Sequence, residues 1–252
     1  MKDRRYNSST DTSKIIDRLI TRLWSSIDDI EQLQPPQARF FRVAIFGSAR
    51  IQEGDAYYES VQAFAHKIGN LGCDIVTGGG PGLMAAANAG AKDAFRQEGV
   101  RIRSYGLTIE LPMEEAANPF VDRVTSHRTF FSRLHHFVRM SHAYVVFPGG
   151  IGTSLETFMI WQLLQVGHIP PRPLIFVGTM YHGLIDWMRR EMVSAKLVDA
   201  PDLDIATIVD DGEIDRAVEV IARAKKEFDE ERARFVALQS ESAEGRSNGG
   251  GT

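Results

Sequence analysis

The stretch AYVVFPGGIGTSLE, residues 143–156, joins a short apolar run, a glycine-rich turn and the start of a helix pattern. The run AYVVF is continuous rather than alternating, which is typical of a strand buried on both faces of a parallel sheet. Because glycine has no Cβ atom, a turn of this composition bends tightly and brings backbone N–H groups close to an anion. The stretch therefore predicts a strand–turn–helix unit of an α/β fold.

Similar apolar runs alternate with helix patterns on both sides of this stretch. The strand candidates are residues 43–47, 74–77, 104–109, 143–147, 173–177 and 207–209, with a further short strand at 122–125. The helix patterns lie near residues 56–70, 82–97, 129–141, 153–166, 181–195 and 212–238. This order predicts a Rossmann-like, doubly wound α/β fold with a mostly parallel sheet.

The two ends of the chain depart from this alternation. Residues 1–12 are polar and are predicted to be disordered, as is the Ser-, Gly- and Glu-rich tail 240–252. Residues 13–36 predict an extra N-terminal helix and a linker that begins at Pro35-Pro36. One stripe of that helix carries Ile16, Ile20, Leu23, Ile27 and Ile30. The main domain or a second subunit should cover this stripe, and residues 37–239 should form one Rossmann-like domain.

The overall composition excludes several classes of protein. The chain has 252 residues and a formal net charge of −4, so no basic field predicts a nucleic-acid partner. No apolar run reaches the ~20 residues that cross a bilayer, and the polar N-terminus is unlike a signal peptide. The single cysteine, Cys73, excludes an internal disulfide and predicts an inert buried thiol. The sequence thus predicts a cytoplasmic protein.

Three of the predicted strands end in glycine. The loops are Gly47-Ser48-Ala49-Arg50, Gly78-Gly79-Gly80-Pro81-Gly82 and Pro148-Gly149-Gly150-Ile151-Gly152-Thr153. Because the carboxyl ends of parallel strands meet at one edge of the sheet, the three loops should surround one ligand site. The helices after the second and third loops would direct free N–H groups at a phosphate, and Thr153 is a candidate cap for the latter helix. A packing role for the glycines is the alternative at any single loop.

Two familiar phosphate-binding motifs do not fit these loops. Residues 150–155 place Leu155 where a dinucleotide fingerprint has its third glycine, and no P-loop sequence occurs. No lysine lies in or beside the loops to bind pyridoxal phosphate, as an amino acid decarboxylase of that class would need. Dehydrogenase, NTPase and decarboxylase functions are therefore disfavoured.

Glu156 is a candidate catalytic carboxylate. It lies four residues after Gly152, about one turn inside the predicted helix, so it can face the same pocket as the loop. There it could bind ribose hydroxyls, stabilise a cationic sugar or activate water. The alternative is a glutamate favoured by the helix dipole at the first turn.

Arg133 is a candidate partner for that carboxylate. It lies beside the apolar face of the predicted helix 129–141 and could bind a phosphate or keep Glu156 ionised. The alternative is an ordinary surface arginine. His127, His135 and His136 lie nearby, but the spacing of the last two does not suit zinc.

Residues 148–156 resemble the LOG (Lonely Guy) family, which was long labelled as lysine decarboxylases. The family signature P-G-G-x-G-T-x-x-E is matched at every fixed position. Residues 78–84, GGGPGLM, resemble the family's second glycine-rich segment, and residues 43–48 resemble its first strand. The likeness covers roughly residues 40–230 in order and spacing.

The resemblance implies a Rossmann-like homodimer that hydrolyses the N-glycosidic bond of nucleoside 5′-monophosphates, either AMP-like or cytokinin riboside monophosphates. The products would be a free base and ribose 5-phosphate, and no metal or cofactor would be needed. The implied catalytic residues are Arg133 and Glu156. Together with the glycine loops, the resemblance predicts that the substrate contacts Gly47, Ser48, Gly78, Gly79, Gly80, Gly82, Met84, Glu114, Gly149, Gly150, Gly152 and Thr153.

The sequence also departs from the family pattern. Leu134 follows Arg133 where many members have a lysine, which removes one phosphate or ribose contact. Residues 110–119 and the N-terminal helix resemble a larger bacterial branch, so the base that is removed stays open. Two alternatives also stay open. One is a nucleotide-binding sensor or carrier without hydrolysis, and the other is a structural oligomer built on the N-terminal helix.

Overall fold

The computed structural model describes residues 15–16, 18–20, 40–98, 102–110 and 116–247, with backbone alone at 95–98 and 239–247. The chain divides into two units, residues 1–39 and 40–252. In the first unit, residues 15–16 and 18–20 are helical, and they lie in the segment where the sequence predicts an extra N-terminal helix. The predicted disordered segment 1–12 and the rest of the predicted helix and linker lie outside the described residues.

The second unit is built on a seven-stranded sheet in which every neighbouring pair of strands is parallel. The strands are β1 (Arg42–Phe46), β2 (Asp74–Thr77), β3 (Ser104–Ile109), β4 (Arg123–His127), β5 (Ala143–Val146), β6 (Leu174–Val177) and β7 (Ala206–Val209). Their order is β4-β3-β2-β1-β5-β6-β7, so the chain winds outward from β1 in both directions. This is the predicted doubly wound sheet, and the point where its winding reverses lies between β1 and β5.

The helices alternate with these strands. They are α1 (Ala56–Asn70), α2 (Leu83–Glu98), α3 (Phe130–Met140), α4 (Ile151–Gln165), α5 (Met180–Trp187), α6 (Ala200–Leu203) and α7 (Ile214–Ser247), with a π-helical turn at Met188–Val193. Alternate residues of β1 belong to different core layers. Val43 and Ile45 pack in the layer with α1, α2 and α7, whereas Ala44 and Phe46 pack in the layer with α3 and α4. Burial on both faces explains why central strands such as β1 and β5 read as continuous apolar runs.

Three local features differ from the sequence-based prediction. Helix α4 begins at Ile151, two residues before the predicted start, and the helix predicted at 181–195 changes to a π-helical turn after Trp187. Helix α6 was not predicted, because it is a single turn held by a capping box at Asp199 rather than by apolar periodicity. Helix α7 continues to Ser247, so residues 240–247 are helical where a disordered tail was predicted; extending an existing helix requires no new nucleus.

Two other expectations can be compared with the structure. The Cys73 side chain is fully buried, and this burial raises the pKa of its thiol to about 12, as expected for an inert core cysteine. Among the described residues, every helix is either too short or too polar to cross a bilayer.

Candidate active site

The three glycine loops are joined at the carboxyl edge of the sheet, beside the point where its winding reverses. The backbone N–H of Ser48 donates to the Pro148 carbonyl at 3.0 Å, and the Ser48 carbonyl accepts from the Leu83 N–H at 2.9 Å. Gly82 allows this approach, because its φ is +68° and a Cβ atom there would lie 2.4 Å from the Ser48 carbonyl oxygen. Main-chain bonds of Ser48 therefore hold all three loops together. Its hydroxyl accepts from the Arg50 N–H at 3.1 Å.

The second loop, residues 78–82, is closely packed by other parts of the protein. A Cβ atom on Gly78 would lie 2.4 Å from Nη2 of Arg133 and 2.7 Å from Sδ of Met84. A Cβ atom on Gly80 would lie 2.8 Å from Cε of Met84, and Gly79 has a φ of +74°. The first of these contacts shows that Gly78 leaves the space that the arginine occupies.

The third loop, residues 148–153, differs from the second because two of its glycines face open space. No heavy atom of the described residues lies within 4 Å of the position that a Cβ atom would take on Gly150 or Gly152. Neither residue has a positive φ, so neither packing nor backbone conformation requires glycine there. Gly149 is different, since its Cβ atom would lie 2.2 Å from Oγ1 of Thr153.

The first turn of α4 begins at this loop. Gly150 is the N-cap residue in an extended conformation, and it has no side chain that could occupy the N–H groups of the turn. The prediction that Thr153 caps the helix is wrong, because Thr153 is the third helical residue and is buried. The exposed start of α4 thus presents unpaired N–H groups and the positive end of the helix dipole to an anion.

Arg133 and Glu156 form a buried ion pair beside the loops. Nη1 of Arg133 lies 3.1 Å from Oε1 of Glu156, and the two side chains are 13% and 11% exposed. The Arg133 Nε donates to the carbonyl of Leu107 in β3 at 2.7 Å, and its guanidinium lies 5.4 Å from the centre of the Phe137 ring. Arg133 is therefore not a surface arginine. Glu156 is the sixth residue of α4, so a favourable place in the first turn does not account for it.

Burial decides the ionisation of this carboxylate. Removal from water raises the pKa of Glu156 from its usual 4.5 to about 7, although the nearby Arg133 cation lowers it. The carboxylate therefore exchanges its proton near neutral pH. A group with such a pKa accepts and returns a proton with little bias, which suits general acid–base catalysis.

A hydrogen-bonded pair of histidines lies beside Arg133. His127, the last residue of β4, places Nε2 3.0 Å from Nδ1 of His136 and Nδ1 3.2 Å from Oγ of Ser132. Burial lowers the pKa of His136 to about 4 and also lowers that of His127. Both rings are thus neutral at neutral pH, and no three potential metal-binding side chains cluster in the part of the chain that the structure describes.

The structure brings together most of the residues that the sequence singled out. The three loops meet at one edge of the sheet, with Met84, Arg133 and Glu156 beside them. The predicted substrate contacts in these loops are Gly47, Ser48, Gly78, Gly79, Gly80, Gly82, Gly149, Gly150, Gly152 and Thr153. Glu114 lies outside the described residues. Sequence reasoning missed Asn118, which donates to two carbonyls of the second loop, and Asn88, which accepts from Asn118. The signal for Asn88 was an amide in the alanine-rich run AAANAGA of residues 85–91.

Comparison with known proteins adds family relationships to this geometry. The sequence model of a family described as "possible lysine decarboxylase" matches residues 84–219, which is more than half of the chain. The pyrimidine/purine nucleotide 5′-monophosphate nucleosidase of Escherichia coli (strain K12) is 33% identical over 118 residues, which are 44% of this chain and 26% of that protein. The match therefore spans about a quarter of the length of that relative.

A plant protein matches a larger share of the chain. It is described as a probable cytokinin riboside 5′-monophosphate phosphoribohydrolase of Oryza sativa subsp. japonica, and is 27% identical over 160 residues, covering 63% of this chain and 74% of that protein.

Solved structures share the fold at lower identity. The molybdenum cofactor carrier protein of Chlamydomonas reinhardtii superposes with a TM-score of 0.53 at 17% identity, covering 74% of this chain and 98% of that one. The molybdenum cofactor binding protein of Rippkaea orientalis gives a TM-score of 0.52 at 18% identity, covering 73% of this chain and 97% of that one. At this identity the likeness concerns the fold alone.

Proposed function

We propose, from the premise that this chain belongs to the LOG (Lonely Guy) family, that it is a nucleoside 5′-monophosphate phosphoribohydrolase. It would hydrolyse the bond between the base and C1′ of the ribose, releasing a free base and ribose 5-phosphate. The observation that carries the proposal is the buried ion pair of Arg133 and Glu156 beside an open glycine loop. Two relatives named for this chemistry support it.

The phosphate of the substrate would bind at the start of α4. The N–H groups of the first turn and the helix dipole attract an anion there, and the missing side chains of Gly150 and Gly152 leave room for it. With the phosphate in this position, the ribose would lie over Glu156, which follows one turn later along the helix.

Glu156 would act on the reacting carbon of the ribose. As the bond from C1′ to the base nitrogen breaks, its electron pair leaves with the base and positive charge grows on the ribose. The ionised carboxylate stabilises that charge and takes a proton from the water that attacks C1′. This proton is then available to the departing base. Arg133 holds the carboxylate in place through the 3.1 Å contact.

The proposal also covers the substrate class, the cellular compartment and the oligomeric state. We infer that AMP-like or N6-modified adenosine monophosphates are substrates, that the protein is cytoplasmic and that it forms a homodimer. The side chains of Phe131 at the start of α3 and Ile151 at the start of α4 are 82% and 89% exposed, and a second copy would remove this apolar surface from water. A sensor or carrier of the same fold would need nucleotide binding but no carboxylate held by an arginine.

A panel of nucleoside monophosphates tests the proposal. The protein is incubated with AMP, CMP, GMP, UMP and an N6-prenylated AMP, and free base is measured by chromatography. Base release from at least one of them is expected, together with its loss in Glu156→Gln and retained binding in that variant. A wild-type protein that binds these nucleotides and releases no base would be a carrier or sensor instead.

A further inference from the structure

Asn118 connects the second glycine loop to the interior of the domain. It lies in the segment between β3 and β4, and its Nδ2 is 3.1 Å from the Gly79 carbonyl, 2.9 Å from the Gly80 carbonyl and 2.9 Å from Oδ1 of Asn88. Its backbone N–H also donates to the Gly79 carbonyl, at 2.8 Å. Asn118 thus makes three hydrogen bonds to a loop that precedes it by 38 residues or more, and its two amide hydrogens are shared among the three acceptors of Nδ2.

The other end of this connection is Asn88, which is fully buried in α2. Its Nδ2 donates to Oγ of Ser104 on β3 at 2.6 Å, and its Oδ1 accepts from Oγ1 of Thr77 at 2.8 Å as well as from Asn118. Because the Thr77 hydroxyl gives its hydrogen to Asn88, its lone pairs remain to accept the Gly79 N–H, at 3.0 Å. The network therefore ties the loop to two strands and one helix.

The network fixes both polar groups of Gly79. Its N–H binds Thr77 and its carbonyl binds Asn118, while the Gly80 carbonyl binds Asn118 as well. A carbonyl oxygen carries partial negative charge and repels a phosphate, so a loop that binds an anion benefits when its carbonyls are occupied by amide donors.

We propose that Asn118 is a positioning residue that holds the loop of residues 78–82 in the conformation that accepts a nucleoside 5′-monophosphate. Its bonds reach the loop and Asn88 rather than the pair of Arg133 and Glu156, so it acts on nucleotide affinity and not on the chemical step. The identity of the ligand rests on the function proposed above. The role of Asn118 does not depend on hydrolysis.

Two substitutions test this role. Asn118→Asp keeps the size of the side chain and an acceptor for the Phe120 N–H, but it removes both amide hydrogens and sets a negative charge against two carbonyls. Asn118→Ala removes the same donors without adding charge. For both variants we expect the Kd for AMP, measured by calorimetry, and the KM for base release to rise about tenfold or more, with kcat within about threefold of wild type.

Gln62→Ala is the matched control. Gln62 on α1 donates to Asp93 on α2 at 3.1 Å, so the substitution removes a side-chain hydrogen bond to the same helix that carries Asn88, away from the loop. Its AMP affinity should equal that of wild type. Thermal unfolding of all variants shows whether a change in affinity reflects the loop or a general loss of stability.

Three outcomes contradict the proposal. The first is wild-type AMP affinity in an Asn118 variant that unfolds at the temperature of the control, and the second is a loss of kcat at unchanged KM. The third is a wild-type chain with no measurable affinity for any nucleotide of the panel, which would contradict the proposed function too. A wild-type chain that binds AMP but releases no base refutes the hydrolase alone, since the Asn118 variants are still judged by affinity.

Discussion

The second and third glycine loops look alike in sequence but use glycine for opposite reasons. In residues 78–82 a Cβ atom would collide with Arg133, Met84 or the Ser48 carbonyl, so glycine makes room for the protein itself. At Gly150 and Gly152 in the third loop a Cβ atom would meet nothing within 4 Å among the described residues, so glycine leaves room for something else. Glycine content alone does not show which loop leaves an open space for a phosphate, whereas the atoms around each glycine do.

The largest effect is expected at Glu156, the carboxylate beside both loops. Glu156→Gln keeps the shape of the side chain but cannot take a proton from water, so kcat for base release should fall about 10²–10⁴-fold. The Kd for AMP should change little, because the loops remain intact. Chromatography of free base measures the loss, and Glu191→Gln is the control, since that exposed carboxylate pairs with its neighbour Arg190. A fully active Glu156→Gln would remove the catalytic role.

A smaller effect is expected when the crowded loop is enlarged. In Gly78→Ala the added methyl group occupies the place of the Arg133 Nη2, which displaces the guanidinium from Glu156, and kcat should fall roughly 10²-fold. Gly183→Ala is the control, because a methyl group on this exposed glycine of α5 meets no other part of the described residues within 4 Å. If the two variants were equally active, the space beside Gly78 would not matter for Arg133.

The activity should also depend on pH through the ion pair. Because burial raises the pKa of Glu156 to about 7, kcat should fall about tenfold from pH 8 to pH 6 as the carboxylate gains a proton. AMP affinity measured over the same range separates this effect from titration of the substrate phosphate. A flat profile of kcat over that range would show that Glu156 does not act as the ionised base.

The raised pKa of Glu156 should also affect stability, which is expected to fall with rising pH while the activity increases. A carboxyl whose pKa is higher in the folded chain than its usual 4.5 stabilises the fold at acid pH. This contribution, at most ~3 kcal/mol, is lost as the pH rises from 4.5 through about 7, since the folded state then holds a proton that the unfolded state has released. Urea unfolding at several pH values measures it, and Glu156→Gln should lack that part of the dependence.

The smallest expected effects are on stability, and the free energy of unfolding should change in opposite directions in the two loops. Gly152→Ala adds a methyl group in open space inside helix α4, so the free energy of unfolding should rise by about 0.5–1 kcal/mol while AMP affinity falls several-fold. Gly82→Ala should lower the free energy of unfolding by roughly 1–3 kcal/mol, because its φ is +68° and its methyl group meets the Ser48 carbonyl. If both variants changed the free energy of unfolding in the same direction, the two loops would not use glycine for different reasons.

The fold was predictable mainly because its central strands are buried on both faces, although the edge strand β4 is largely exposed. Continuous runs such as residues 143–147 have no other simple explanation, and every predicted strand is present in the sheet. The π-helical turn after Trp187 and the one-turn helix α6 were not predictable, because neither produces a periodic apolar pattern. The length of α7 was underestimated because composition alone suggested disorder after residue 239.

The candidate site was predictable only in part. Sequence placed the glycines at strand ends, and the family resemblance singled out Arg133 and Glu156. The sequence did not show that Arg133 binds the Leu107 carbonyl or that Gly78 makes room for the Arg133 side chain, because these contacts join residues far apart in the chain. The bond from Asn118 to Gly79 spans 39 residues and carries no local sequence signal. Contacts of this kind form only after the strands have assembled into the sheet, so they cannot be read from a local stretch of sequence.

The connection of the three loops through Ser48 uses main-chain atoms only. Any residue with a backbone N–H and carbonyl can make the same two bonds, so the side chain at position 48 is not constrained by the linkage. Evolution or an engineer can therefore replace this side chain without separating the loops. Position 48 is accordingly suited to substitutions that test whether its side chain contacts the proposed nucleotide.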